Sequence, residues 1–182
     1  MNCPACETDA LKLTVLDDNL IASRCSKCGG HWIAAFQYWK WLKKHGNHLP
    51  EKLPTEGFDV PEDDANRASR FCPECESHLI RYPVGKSLHF SLDRCGNCAG
   101  IWFDKNEWEA LKSRNLHDEI HMIFSIPWQS KIRKDEQKEH LIEQFKKKLG
   151  PQAFAKVQEF KLWLKEQENS RDIMIFLNDP EL

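Results

Sequence analysis

Arg24-Cys25-Ser26-Lys27-Cys28-Gly29-Gly30-His31-Trp32-Ile33 and Arg94-Cys95-Gly96-Asn97-Cys98-Ala99-Gly100-Ile101-Trp102-Phe103 are one decapeptide pattern written twice. Upstream of each lies a second matched pair, Cys3-Pro4-Ala5-Cys6-Glu7 and Cys72-Pro73-Glu74-Cys75-Glu76. The cysteines therefore read C3-x2-C6-x18-C25-x2-C28 and C72-x2-C75-x19-C95-x2-C98, a repeat distance of 69 to 70 residues. Two copies of a unit of roughly 40 residues are present, too few for a solenoid. All eight cysteines of the 182-residue chain are used, in four C-x-x-C pairs.

Between its cysteine pairs each unit reads as a β-hairpin. Leu11, Leu13 and Val15 alternate with polar residues, Asp17-Asp18-Asn19 supplies a turn, and Leu20-Ile21-Ala22 returns. In the second unit Leu79 to Val84 goes out, Gly85-Lys86 turns, and Leu88, Phe90 and Leu92 return in period two. A helical pattern follows each second pair. Asp104 and Glu107 are spaced as a capping box before Trp108 and Leu111, whereas the first unit has Ala34 and Gln37 there. These signals divide the chain into 1–42, a Pro-containing charged linker at 43–70 that leaves the two units free to pack independently, a second unit at 71–116, and a helical module at 117–182. In that module helices are expected at 128–148 and 151–168, separated by Gly150-Pro151, with a third after Ser170.

Units this small bury too little apolar surface to fold alone and usually need a metal or disulfides. Nothing at the start of the chain resembles a signal peptide, so a reducing compartment, the cytoplasm, is expected and metal-bound thiolates are favoured over disulfides. Two C-x-x-C turns joined by a hairpin can aim Cys3, Cys6, Cys25 and Cys28 at one ion, and Cys72, Cys75, Cys95 and Cys98 at another. A redox dithiol would instead open a helix in a thioredoxin-like βαβ setting, which the pattern lacks. Iron in the same four-sulfur cage is not separated from zinc by geometry. Two structural Zn2+ ions, one per set, are the preferred reading. With four protein ligands no coordination position is left for an activated water.

The sequence resembles the bacterial zinc-ribbon family of the transcription-factor-IIB type. The resemblance rests on Cys3-Pro4-x-Cys6, Cys25-x-x-Cys28-Gly29-Gly30-x-Trp32-Ile33, Cys72-Pro73-x-Cys75, Cys95-x-x-Cys98-Ala99-Gly100-x-Trp102-Phe103-Asp104 and Glu107. It covers about 80 residues and implies a zinc ribbon in each copy. The fold class expected is thus a small metal-bound α+β protein: two four-cysteine zinc ribbons, each a β-hairpin plus a short helix, followed by an α-helical tail. The family name reflects fold likeness and does not itself imply a transcription factor.

Composition bears on function. The chain has 26 Lys+Arg against 28 Asp+Glu, with no basic segment. With eight thiolates on two divalent ions the formal charge moves from −2 to −6. Phosphate-neutralising proteins normally carry a basic face, so nucleic acid is the less favoured partner. No apolar run approaches membrane-spanning length, which argues against a membrane partner. Lys146-Lys147-Lys148 closes a helix, where cations complement the macrodipole. His117-Asp118-Glu119-Ile120-His121 lacks the Glu directly after its first histidine that a zinc-protease helix requires. No nucleophile triad or phosphate loop is recognisable, so a non-enzyme is expected. Trp32 and Trp102 are expected to pack on their hairpins. Tyr38, Trp39 and Trp41 cannot all face inward on one helix, so with Trp108 they form the expected interaction surface, with cover by the linker or tail as the open alternative. The expected function is a zinc-binding adaptor for another protein, with nucleic-acid binding as the alternative. Partner and oligomeric state are not readable from the sequence.

Overall fold

The computed structural model describes residues 1–7, 10–45, 68–85 and 88–179. In the first unit β1 (Lys12–Val15) and β2 (Ile21–Arg24) form the hairpin around a single 3-10 turn at Asp17–Asn19, and β3 (His31–Ile33) leads into α1 (Ala35–His45). The second unit repeats this order with β4 (Leu79–Gly85), β5 (Leu88–Cys95), β6 (Ile101–Phe103) and α2 (Glu107–Ser113). The hairpins stand where alternating patterning put them, while residue 86 of the Gly85-Lys86 turn lies outside the described residues.

The two units are not independent. Their strands form one six-stranded antiparallel sheet in the order β1-β2-β3-β6-β5-β4, joined at its centre by β3 and β6. The register there is His31 with Phe103, Trp32 with Trp102 and Ile33 with Ile101, so the two equivalent tryptophans meet and the flanking pairs exchange about a pseudo-twofold axis. Both indoles are fully buried. A Cβ on Gly30 would lie 2.3 Å from Cζ2 of Trp102, and a Cβ on Gly100 would lie 2.2 Å from Cζ2 of Trp32. Each tryptophan therefore covers the other unit's glycine, a place where no other residue fits without displacing an aromatic ring. The expectation that each tryptophan serves its own hairpin, and that the units need not pack rigidly on each other, is corrected by this exchange. The central residues of the expected linker, 46–67, lie outside the described residues.

The joined sheet is closed by helices. Leu20, Ile33, Leu92, Phe103, Trp108 and Leu111 are buried in one core that also takes in Leu116, Ile120 and Ile123. The last two belong to α3 (Ile120–Ile123), so the ribbon unit does not end at residue 116 as the sequence suggests. It runs from Met1 to Ile132, and a second unit covers Arg133–Leu182. The extension covers one edge of the sheet: the Trp128 indole donates to the carbonyl of Val84 at 3.0 Å, and Gln129 Nε2 donates to that of Pro83 at 2.9 Å. At the opposite edge β1 leaves Leu13 and Val15 exposed. A further tie crosses between the units, where Asp17 accepts from the Trp108 indole at 2.6 Å and from Lys112 at 2.7 Å.

α4 (Ile126–Lys165) is two helices divided at Gly150, whose φ of 74° and ψ of 163° are non-helical, just before Pro151. This matches the expected stop at Gly150-Pro151. α5 (Ser170–Asn178) is the expected third helix. Among the described residues no helix is long and apolar enough to cross a membrane.

Placing a methyl group beneath either indole is expected to be costly. Gly30→Ala or Gly100→Ala should each destabilise the zinc-loaded chain by about 1–3 kcal/mol, the usual cost of overpacking a filled core. Urea unfolding followed by tryptophan fluorescence reads this directly. Unchanged midpoints for both variants would show that the exchange does not hold the units together.

Candidate metal centre

The four cysteines of each unit come from two tight turns. The Cys3–Cys6 turn closes with the Glu7 amide donating to the Cys3 carbonyl at 2.8 Å, and the Cys25–Cys28 turn with the Gly29 amide on the Cys25 carbonyl at 3.0 Å. The second unit repeats both, Glu76 to Cys72 at 2.9 Å and Ala99 to Cys95 at 3.1 Å. Each turn brings its closing residue to positive φ, and only one of the four, Gly29, is glycine; Glu7, Glu76 and Ala99 lie at about 60° as well. Such conformations in non-glycine residues cost on the order of 1 kcal/mol and persist where surrounding contacts over-determine them.

The sulfurs converge. Within each set all four Sγ atoms lie within 4.8 Å of one another. Cys3 to Cys28 is 3.6 Å and Cys6 to Cys25 is 3.9 Å; Cys72 to Cys98 is 3.5 Å and Cys75 to Cys95 is 3.4 Å. Disulfides would place sulfurs near 2.05 Å, and all eight cysteines are free. A tetrahedral ion with Zn–S bonds of 2.3 Å sets its sulfurs ~3.8 Å apart. The observed spacings fit that edge length, so each set is fit to hold one zinc ion.

Backbone amides prepare the thiolates. The Cys6 amide donates to Cys3 Sγ at 3.3 Å, and the Glu74 amide to Cys72 Sγ at 3.4 Å. The Asn97 and Cys98 amides both donate to Cys95 Sγ at 3.4 Å. The thiols of one set are not equivalent. Desolvation pushes Cys3 and Cys98 far above the ordinary thiol value and Cys28 and Cys72 up to about 11. At Cys25 desolvation also acts upward, but amides of Cys28 and Lys27 outweigh it and lower the thiol to about 7. Ser77, through its hydroxyl and its amide, lowers Cys75 to about 6. Each set thus offers one readily ionised sulfur and two that a divalent cation must strip of protons.

Around the sulfurs the two copies differ. In the second unit Asp104 accepts from the Trp102 indole at 2.8 Å and, with Asp93, clasps Arg70 at 2.9 Å each. The Asp104 amide in turn donates to Glu107 Oε2 at 2.7 Å, which is half of the expected capping box. The residue before the helix, Asn106, takes a left-handed conformation and makes no side-chain capping bond. In the first unit Ala34, Ser23 and Met1 stand in the places of Asp104, Asp93 and Arg70. There the buried Trp32 Nε1 has no partner among the described residues.

The four aromatic residues expected to form an interaction surface are not together on one. Tyr38, Trp41 and Trp108 are buried in the ribbon core, with Trp41 edge-on to Trp108 at 5.8 Å and the Tyr38 hydroxyl donating to the His117 carbonyl at 3.3 Å. They face inward because α3 and the chain before it supply a cover that the assumed boundary at 116 removed. Only Trp39, 51% accessible, remains outward. Of the histidine pair, His117 is buried between Trp41 and Trp108, and His121 packs beside Trp39.

A hairpin, a third short strand and two facing cysteine turns closing a four-sulfur cage define the class of the zinc ribbon. Residues 2–44 and 71–114 each match the model of the TFIIB-type zinc-ribbon family described as "Transcription factor zinc-finger". Neither the curated proteins nor the solved structures gave a match to the chain.

Two measurements follow from this geometry. The purified protein should contain two zinc ions per chain. Loading should release protons, chiefly from Cys3, Cys28, Cys72 and Cys98, so affinity should fall as pH drops and the cation competes with bound protons. Calorimetric titration in two buffers of different ionisation enthalpy reads the proton count; zinc affinity independent of pH between 6 and 8 would contradict the assignment. In the outer shell, Asp104→Ala should cost about 1–3 kcal/mol by stranding Trp102 and Arg70, while Ala34→Asp should stabilise the first ribbon by giving the Trp32 indole a partner. Thermal melts of the zinc-loaded variants distinguish the two signs.

Proposed function

We propose that this protein is a non-catalytic zinc-binding adaptor whose ribbon pair presents apolar surface to another protein, in the cytoplasm. The observation that carries this reading is the exposed aromatic pair on α1 of the first ribbon. Phe36 and Trp39, three residues apart on α1, are 66% and 51% accessible, and Leu13 and Val15 stand exposed on the free edge strand β1. Isolated exposed apolar residues are ordinary, but an aromatic pair at helical spacing and apolar residues exposed on a sheet-edge strand are features of binding surfaces. The corresponding edge of the second ribbon is covered by Trp128 and Gln129 of the same chain.

Both metal sets are filled by protein sulfur, which leaves no open coordination position for substrate or water and supports a scaffolding role for the ions. The second reading, a nucleic-acid-binding protein associated with transcription, is favoured by the family description alone. The even charge balance argues against it.

Phe36→Ala with Trp39→Ala should leave zinc content and melting unchanged but abolish recovery of the partner when the tagged full chain is purified from its own cells, with mass spectrometry naming what is lost. Binding to mixed DNA and RNA at physiological salt should be weaker than ~10 µM. Tight, steeply salt-dependent binding that survives the double substitution would replace the adaptor reading with the nucleic-acid one.

A further inference from the structure

The two sulfur cages are alike at the metal itself. Each is closed by the same backbone turns, and spacings of 3.6 and 3.9 Å in one and 3.5 and 3.4 Å in the other do not separate them. What separates them stands two residues before the ligands. Arg70 precedes Cys72 by two positions, and Asp93 precedes Cys95 by two. Their ion pair, at 2.9 Å, therefore joins the entries of the two ligand-bearing turns by a link that contains no metal. Asp104 adds a second 2.9 Å bond to the same guanidinium and accepts from the Trp102 indole, which packs among the cysteines. The side chains of Arg70, Asp93 and Asp104 are 16%, 5% and 17% accessible, so this clasp is little screened by salt.

In the first ribbon the same places hold Met1, two before Cys3, Ser23, two before Cys25, and Ala34. None of these side chains carries a charge, so the clasp cannot form there. The Trp32 indole is buried, and its Nε1 has no partner among the described residues. That donor goes unsatisfied only while the ribbon is closed, and opening returns it to water. Asp17 does tie this ribbon to Trp108 and Lys112, but from the turn of the hairpin, beyond the Val15–Ile21 pair and away from the cysteine end.

Both differences act in one direction. When an ion leaves the second set, the clasp keeps the turns of Cys72 and Cys95 together, and the set stays organised to take an ion back. When an ion leaves the first set, no equivalent clasp spans its turns, and the Trp32 donor favours opening.

We propose that the two ions have different roles: the ion of Cys72, Cys75, Cys95 and Cys98 is a permanent cross-link, whereas that of Cys3, Cys6, Cys25 and Cys28 is exchangeable, given up to a competing chelator and regained from free zinc. This goes beyond the adaptor reading and does not rest on it, because it concerns which ion leaves and not which partner binds.

Challenging the zinc-loaded full chain with 4-(2-pyridylazo)resorcinol, and following the coloured zinc complex in time, tests it. Two phases of one ion each are expected, with rates about 10-fold or more apart, the effect usual for outer partners of metal ligands. Alkylation with N-ethylmaleimide at the end of the fast phase, followed by peptide mass mapping, assigns the phases. Cys3, Cys6, Cys25 and Cys28 should be labelled and the second set protected. Labelling of the second set first, equal labelling of both, or one phase releasing both ions would overturn the proposal. The cause is tested by giving the second ribbon the residues of the first, Arg70→Met, Asp93→Ser and Asp104→Ala together, which should make its release as fast as that of the first. Slow release that persists in this variant would overturn the clasp as the reason. The labelling order in the unaltered chain decides the assignment whether or not the triple variant folds. Phe36→Ala with Trp39→Ala should leave both phases unchanged, so failure of the adaptor reading and failure of this one are separable.

Discussion

The contact on which the ribbon unit depends is the exchange of two tryptophans over two glycines. Trp32 and Trp102 pair across β3 and β6, and each indole occupies the space that a side chain at Gly100 or Gly30 would fill. Both indoles also pack among Cys3, Cys25, Cys72 and Cys95. One apolar cluster therefore connects the sheet junction to both metal centres. Two ~40-residue ribbons would each have most of their apolar surface in water; joined about the pseudo-twofold axis they share a sheet, a core and the helices above it. The two metal sets are thus joined through one filled interior.

The pseudo-symmetry is broken in a consistent direction. The second ribbon holds Arg70 between Asp93 and Asp104, satisfies its tryptophan through Asp104, and has its edge strand covered by Trp128 and Gln129. At the equivalent places the first ribbon has Met1, Ser23 and Ala34, and its edge strand β1 exposes Leu13 and Val15. Its link to the rest is borrowed: Asp17 is tied to Trp108 and Lys112 of the second ribbon, and those hydrogen bonds hold its carboxyl below the ordinary range against the opposing effect of burial. The satisfied polar network belongs to the second ribbon, while exposed apolar residues occur on both, Phe36 and Trp39 on the first and Phe71 and Ile80 on the second.

The parts written as local pattern were legible in the sequence. The cysteine spacing gave the ligand sets, alternation gave the hairpins, and Gly150-Pro151 gave the break in α4, because each rests on residues close in the chain. The joining of the ribbons was not legible, although its signal was present. Gly30 and Gly100 precede the two tryptophans at matching places, and a glycine conserved between copies next to a large aromatic residue is what a close approach requires. The pairing of three-residue strands some 70 positions apart has no periodicity to reveal it. The boundary at residue 116 failed for a related reason. Leu116, Ile120 and Ile123 are too few to read as a helix stripe, yet they close the core, and without them Tyr38, Trp41 and Trp108 look like surface. Helical spacing correctly required one of the three neighbouring aromatics of α1 to face out, and that one is Trp39.

What remains exposed bears on function more than what is buried. Once its four sulfurs are committed, each metal set is a cross-link, and its chemistry is spent on folding. The fixed thiolates leave the ribbon unit net acidic with its ions bound, whereas the helical unit is electrically balanced. An acidic surface repels phosphate and repels a second copy of itself, so a ribbon-to-ribbon contact between chains would work against its own charge. The balanced helices carry no such penalty and expose the larger apolar area. Charge therefore separates the two units: an acidic ribbon unit that disfavours phosphate, and a helical unit in balance.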